Sequence, residues 1–277
     1  MKKTILLTGA SGFVGRQVYK RLQNYDFNIV IVSREKSLAK IAGPNKNTNI
    51  LLSENLFRES LSWWESALQN VDIIIHCAWY AEPGLYLQSE KNLECLTGTL
   101  NIANVGSKIG IKKFIGIGSC FEYDLTGSGI LGVESPLKPK TLYACTKVSV
   151  FYTLGALFST RNIDFAWCRL FYLYGDGEDS RRFIPYLHHK ISKGEIAELT
   201  SGNQIRDYIN IEDASAYIAE ISIGNRTGPI NICSGRGQTI RSIAEGIANQ
   251  YGRLDLLKFG VRDDNLVDPP IIVGIPN

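Results

Sequence analysis

The chain has 277 residues, 44% of them hydrophobic, and a formal net charge of +3. That length supports a sizeable core, as one large domain or as a domain with an attached lobe, and the scattered basic residues offer no patch for nucleic acid or a charged membrane surface. The apolar run in MKKTILLTG is too short for a signal peptide, no stretch approaches the roughly 20 apolar residues of a membrane span, and the cysteines and histidines show no paired or metal-like spacing.

In chain order, residues 5–8, 28–33, 50–52, 71–77, 113–117 and 165–170 read as strands, rich in Ile and Val and apolar on both faces. Residues 15–23, 62–67, 92–109 and 143–160 read as the helices between them. Two-sided apolar strands alternating with helices predict a parallel sheet covered on both faces. The last third is more broken, with helices expected at 183–193, 213–221 and 240–251 and a short strand at 230–233. These pieces suit a small lobe over the sheet's carboxyl edge, and the Pro-rich tail from Val261 reads as irregular. The expected fold class is α/β: a Rossmann-type doubly wound parallel sheet over residues 1–175, with a small C-terminal α/β substrate lobe over 176–277. A strand or helix of the first domain has room to return from the second.

The segment TGASGFVG places Gly9, Ser11, Gly12, Phe13, Val14 and Gly15 after the first strand and before a helix. A strand, glycine loop and helix in that order aim backbone N–H groups and a helix N-terminus at a pyrophosphate. An NAD site usually carries a carboxylate at the end of the second strand, for the ribose 2′-hydroxyl. Here that place holds Ser33 and Arg34. A guanidinium pairs with a 2′-phosphate, so NADP(H) is the expected cofactor, with NAD(H) as the alternative.

Tyr143 and Lys147 are four residues apart on a predicted helix and share a face. A phenol with a reference pKa of about 10 is a poor base near neutrality, and a nearby lysine favours its ionised form. Ser119 follows the strand FIGIG, where a hydroxyl could meet a substrate oxygen beside the phenol.

Taken together, these residues resemble the extended short-chain dehydrogenase/reductase family, the nucleotide-sugar epimerases, dehydratases and reductases. The likeness runs from about residue 4 to about residue 250. It is carried by the glycine loop, IIHCA ending at Ala78, GTLN from Gly98, GSCFEYD around Ser119, Tyr143-x-x-x-Lys147, RLFYLYG from Arg169, QIRDYINIED from Gln204 and NICSG from Asn231. The resemblance implies that Ser119 and Tyr143 touch the reacting sugar oxygen while Lys147 holds the nicotinamide ribose. It adds Asn55, Leu56, Cys77, Ala78, Trp79 and Phe171 to the cofactor set. It assigns Tyr80, Cys120, Tyr123, Tyr172, Arg181 and Arg206 to the substrate, with Arg206 at the position that pairs with the nucleotide diphosphate and Tyr86 and Arg182 nearby.

The chain also departs from the family. Cys95 stands where an Asn usually precedes GTLN, with Asn92 one helical turn earlier, and Tyr172 and Asn55 replace an Asn and an acidic residue. Sugar 4,6-dehydratases resemble one another in an Asp-Glu or Ser-Glu pair after the catalytic hydroxyl. Cys120 and Phe121 stand there instead, and a phenyl ring exchanges no proton. The expectation is an NADPH-dependent reductase of a keto group, at C4, on a nucleotide-linked 6-deoxy sugar, working as a cytoplasmic, reduced, metal-free homodimer without nucleic acid or membrane partners. A C4 epimerase with tightly bound NAD is the first alternative, and a non-catalytic NADP-sensing protein the second.

Overall fold

The computed structural model describes residues 2–41, 43–264 and 269–277. Its first half runs β1 (Thr4–Thr8), α1 (Phe13–Leu22), β2 (Asn28–Ser33), β3 (Thr48–Leu52), α2 (Leu61–Ala67), β4 (Ile73–His76), α3 (Lys91–Ile109), β5 (Lys113–Ser119) and β6 (Ile130–Leu131), then α4 (Leu142–Ser159) and β7 (Asp164–Leu170). The second half runs β8 (Tyr172–Tyr174), α5 (Phe183–Ser192), β9 (Ala197–Glu198), β10 (Ile205–Asn210), α6 (Ile211–Ile223), β11 (Gly228–Ile232), β12 (Gly237–Thr239), α7 (Ile240–Gln250), β13 (Leu257–Lys258) and β14 (Ile271–Gly274).

Seven parallel strands form the main sheet in the order β11-β7-β5-β4-β1-β2-β3. Side chains alternate across it. Ile5 and Leu7 of β1 and Ile73 and Ile75 of β4 pack into the core under α1 and α6, whereas Leu6 and Ile74 face the core under α2, α3 and α4. Each fully buried aliphatic side chain contributes roughly 1.5–3 kcal/mol, which is why strands apolar on both faces end up between two helical layers.

The segments at 213–221 and 230–233 are the helix and strand that return to the first domain: α6 packs against α1, and β11 extends the main sheet beside β7. One expectation for the last third needs correction, since the tail is not irregular throughout. Ile271–Gly274 forms β14, parallel to both β10 and β6 in a second sheet ordered β12-β10-β14-β6, with β8 joining β10. Buried Ile272 and Val273 drive that insertion. The remaining lobe has its own small core, where Leu187 and Ile191 of α5 meet Ala244, Ile247 and Ala248 of α7.

Helix α4 spans 18 residues at a mean hydropathy of 1.2, which by length and composition alone would suit a membrane span. In the fold it lies against α3, β5 and β7, with Ala144, Val150, Leu154 and Phe158 buried.

Candidate active site

Most of the residues singled out from the sequence come together at the carboxyl ends of the parallel strands, the edge where ligands bind in open α/β sheets. After β1, Gly9 takes φ +74° and Gly12 N donates to Gly9 O at 2.9 Å, closing the turn into α1. A Cβ on Gly9 would sit 2.6 Å from the Ala78 nitrogen, and one on Gly15 would sit 2.2 Å from Gly9 O. Only glycine allows that cradle, with Ser11, Phe13 and Val14 half-buried along it at the start of α1. These residues fit a dinucleotide pyrophosphate.

At the end of β2, Ser33 is buried and donates to its neighbour's carbonyl, while Arg34 is exposed and precedes a short helical turn beginning at Glu35. Beyond β3, the Asn55 side chain accepts from Phe57 N and donates to Glu94 Oε1 at 2.7 Å, and Leu56 packs against the core. After β4, Cys77, Ala78 and Trp79 are half-buried, and Ala78 N donates to Thr8 Oγ1. His76 behind them is locked between Thr8 Oγ1 and Thr99 Oγ1, both at 2.9 Å, and burial, helped by the Lys147 charge, holds it neutral with a pKa of about 3.

Ser119 ends β5 and caps the turn Cys120–Glu122, its Oγ accepting from Phe121 N. Helix α4 starts one residue before Tyr143, where Thr141 Oγ1 accepts from Ala144 N. The Ser119 hydroxyl lies on the side of the turn that faces the Tyr143 phenol and favours its ionised form. Burial raises the phenol above its ordinary range, with Tyr86 and Glu122 adding to the effect and Ser119 opposing it. Lys147 is 3% exposed, and its Nζ donates to Ile117 O at 2.6 Å. Burial lowers its pKa to about 7, with Glu122, Cys95 and Cys77 pulling the other way. A hydroxyl, a phenol and a buried ammonium therefore converge at the mouth of the glycine cradle.

A cleft of about 410 Å³ opens in the lobe, lined by Tyr172, Arg181, Arg206, Tyr208 and Arg262 among others. Arg206, 4% exposed, is held by the carbonyls of Ile205 and Pro270 and lies 5.6 Å from the Tyr172 ring centre. Tyr172 in turn meets Phe121 edge-on at 6.2 Å, which connects the cleft to the turn after Ser119. Arg181 bridges Asp179 and Glu82, tying the loop before α5 to the loop after β4. Tyr80 is half-buried beneath Lys91 Nζ, and Cys120 is buried at the turn.

One residue expected to face substrate does not: Tyr123 is fully buried and donates to Asn231 Oδ1 at 2.6 Å, so it belongs to the core. Phe171 is buried against Gly274 and Cys233, and its N–H donates to Ile232 O. Sequence reasoning missed Arg262, Tyr208 and the carboxylate of Glu122. Arg262 lies in the tail read as irregular, and Glu122 gave no pattern pointing toward Arg169.

The sequence pattern of the NAD dependent epimerase/dehydratase family matches residues 5–232. A dTDP-6-deoxy-L-talose 4-dehydrogenase (NAD(+)) of Aggregatibacter actinomycetemcomitans is 26% identical over 249 residues, covering 87% of this chain and 88% of that protein. A UDP-glucose 4-epimerase of Vibrio cholerae is 31% identical over 208 residues, covering 70% of this chain and 58% of its own length. Among solved structures, a UDP-N-acetylglucosamine 4-epimerase from Methanobrevibacter ruminantium superposes with a TM-score of 0.87 at 24% identity, over 100% of this chain and 90% of that one. The matched span carries the glycine cradle, Ser119, Tyr143 and Lys147, and the chain belongs to the NAD dependent epimerase/dehydratase family.

Proposed function

We propose that this enzyme is an NADPH-dependent reductase of a keto group, at C4, on a nucleotide-linked 6-deoxy sugar. The observation that supports the reading is the grouping of Tyr143 and Lys147 on one face of α4 beside the end of β5, where Ser119 lies, with the Trp79 ring against both. The glycine cradle and Lys147 would hold a nicotinamide cofactor, which would supply the hydride. Tyr143, protonated at neutral pH because burial raises it, donates a proton to the carbonyl oxygen as negative charge develops there. Ser119 shares that oxygen. Lys147 holds the cofactor ribose, and its charge lightens the cost of leaving a phenolate behind.

Arg206 and Arg262 supply positive charge for a diphosphate, with Tyr172 and Tyr208 as ring surfaces beside it. Phe121 argues against dehydration, because it has no exchangeable proton where an acid would be needed. Arg34 favours NADPH over NADH, and the exposed apolar surface of α4, Tyr152 included, favours pairing of α3 and α4 across a homodimer axis. A cytoplasmic location fits the six free cysteines.

The test offers NADPH with a panel of nucleotide-linked 4-keto-6-deoxy sugars, follows NADPH consumption and identifies the product. Stoichiometric NADPH loss with a reduced sugar is expected. The second reading, a C4 epimerase, draws on the Vibrio cholerae relative. Interconversion of two sugar epimers without net NADPH loss would replace the first reading with it, and NADPH binding without turnover on any keto sugar would point to a sensor.

A further inference from the structure

The loop after β4 places an aromatic face on the buried lysine. Lys147 Nζ lies 3.6 Å from the centre of the Trp79 ring, with the Tyr143 and Trp167 rings at 5.7 and 5.9 Å. An ammonium has three hydrogens, and the one hydrogen bond it makes among the described residues goes to Ile117 O. No carboxylate lies within ion-pair distance of it among those residues. Trp79 is itself clamped. Its Nε1 donates to Asn92 Oδ1 at 2.8 Å, and the Asn92 amide spends its hydrogens on Tyr86 O and Ser89 O, at 2.6 and 2.8 Å. Asn92 is fully buried, and Tyr86 meets the Tyr143 ring edge-on at 4.9 Å.

We propose that the Trp79 indole, fixed by Asn92, is the positioning group that keeps the Lys147 ammonium charged and aimed at the cofactor site. The Asn92 amide acts on the lysine through that ring rather than by contact. A cation over an indole face is attracted by the ring quadrupole, and the attraction is strongest where water is excluded. The other ionisable groups facing Lys147 are Glu122 after β5, Cys95 on α3, Cys77 after β4, Tyr143 on its own helix, and neutral His76. The Glu122 carboxylate is committed to Arg169, and the thiols are held neutral by burial. Set against that company, burial would leave the lysine half ionised near neutrality, and the indole face restores its charge.

The proposal concerns the charge of one lysine and stands whether the enzyme proves a reductase or an epimerase. It is read without substrate or turnover, by NMR titration of the full-length chain with lysines labelled at Cε and Lys147 assigned from Lys147→Arg. Trp79→Leu should lower the Lys147 midpoint by about one pH unit or more, and Trp79→Phe by less, because a ring face remains. Replacing tryptophan biosynthetically with its mono-, di- and trifluoro analogues keeps the shape and the Nε1–H while draining charge from the face. The midpoint should then fall step by step with fluorine content. A midpoint that stays in place across the fluorinated series overturns the proposal, even where Trp79→Leu costs turnover, because Trp79 would then be packing alone.

Discussion

The carboxylate of Glu122 and the guanidinium of Arg169 form an ion pair closed to solvent, 2.8 Å apart, directly behind Ser119. Glu122 also accepts from Ser119 N at 2.8 Å and from Trp167 Nε1, while Arg169 Nη1 donates to the Tyr123 hydroxyl at 3.2 Å. Burial pushes the carboxyl up and Arg169 pulls it back; with three donors converging on it, we take the pair as ionised. Glu122→Gln would leave a buried guanidinium unpaired, and its expected cost is about 3–5 kcal/mol in urea unfolding. The double substitution Glu122→Leu with Arg169→Met should cost less than the sum of the two single ones, since no lone charge remains. Strict additivity would mean that the pair is not coupled.

Stability should also depend on His76. Its folded pKa of about 3 lies below the ordinary 6.5, so between those values the unfolded chain binds a proton that the native one refuses. This group adds no pH dependence above pH 6.5, and below it stability falls by about 1.4 kcal/mol per pH unit. From pH 6.5 to pH 5 the expected loss is about 2 kcal/mol. Unfolding midpoints measured at both pH values, for the native protein and for His76→Gln, check this: the variant should lose most of that slope.

The proposed preference for NADPH rests on Arg34. The side chain is exposed at the end of β2, and on that reading it would make a charge-assisted contact to a 2′-phosphate. Arg34→Ala should cost about 1.5–3 kcal/mol of NADPH affinity, roughly ten- to a hundredfold, and leave NADH binding nearly unchanged. Tighter binding of NADH than of NADPH by the native protein would sink the assignment.

The parts of the molecule legible in the sequence are those written in local pattern. Strands such as IIIH announce themselves because both faces are buried, and Tyr143 and Lys147 because four residues make one helical turn. What stayed hidden depends on partners distant in the chain. Ile271–Gly274 is a strand only because β10 and β6 leave a place between them. Tyr123 looks the same in sequence whether its hydroxyl meets a sugar or, as here, Asn231. The fit of Trp79 over Lys147 likewise joins a loop to a helix that no spacing rule connects.

The proposed mechanism turns on one hydroxyl, that of Tyr143. Tyr143→Phe keeps the ring, so its edge-on contacts with Tyr86 and Trp79 should survive and the fold with them. Binding of NADPH should survive too, because the glycine cradle, Arg34 and Lys147 are untouched. Turnover should nevertheless fall by roughly a hundredfold or more, the scale of a lost, positioned acid–base group. Ser119→Ala removes only the hydroxyl proposed to share the substrate oxygen, so a smaller loss is expected while Tyr143 remains. Lys147→Ala should weaken cofactor binding and turnover together, since on the proposed mechanism a single ammonium serves both. The separation between these three variants is the measurement that matters: NADPH affinity by fluorescence titration, and turnover on the reducible keto sugar. If Tyr143→Phe turned over the true substrate at the native rate, the proton would have to come from elsewhere and the mechanism would fail.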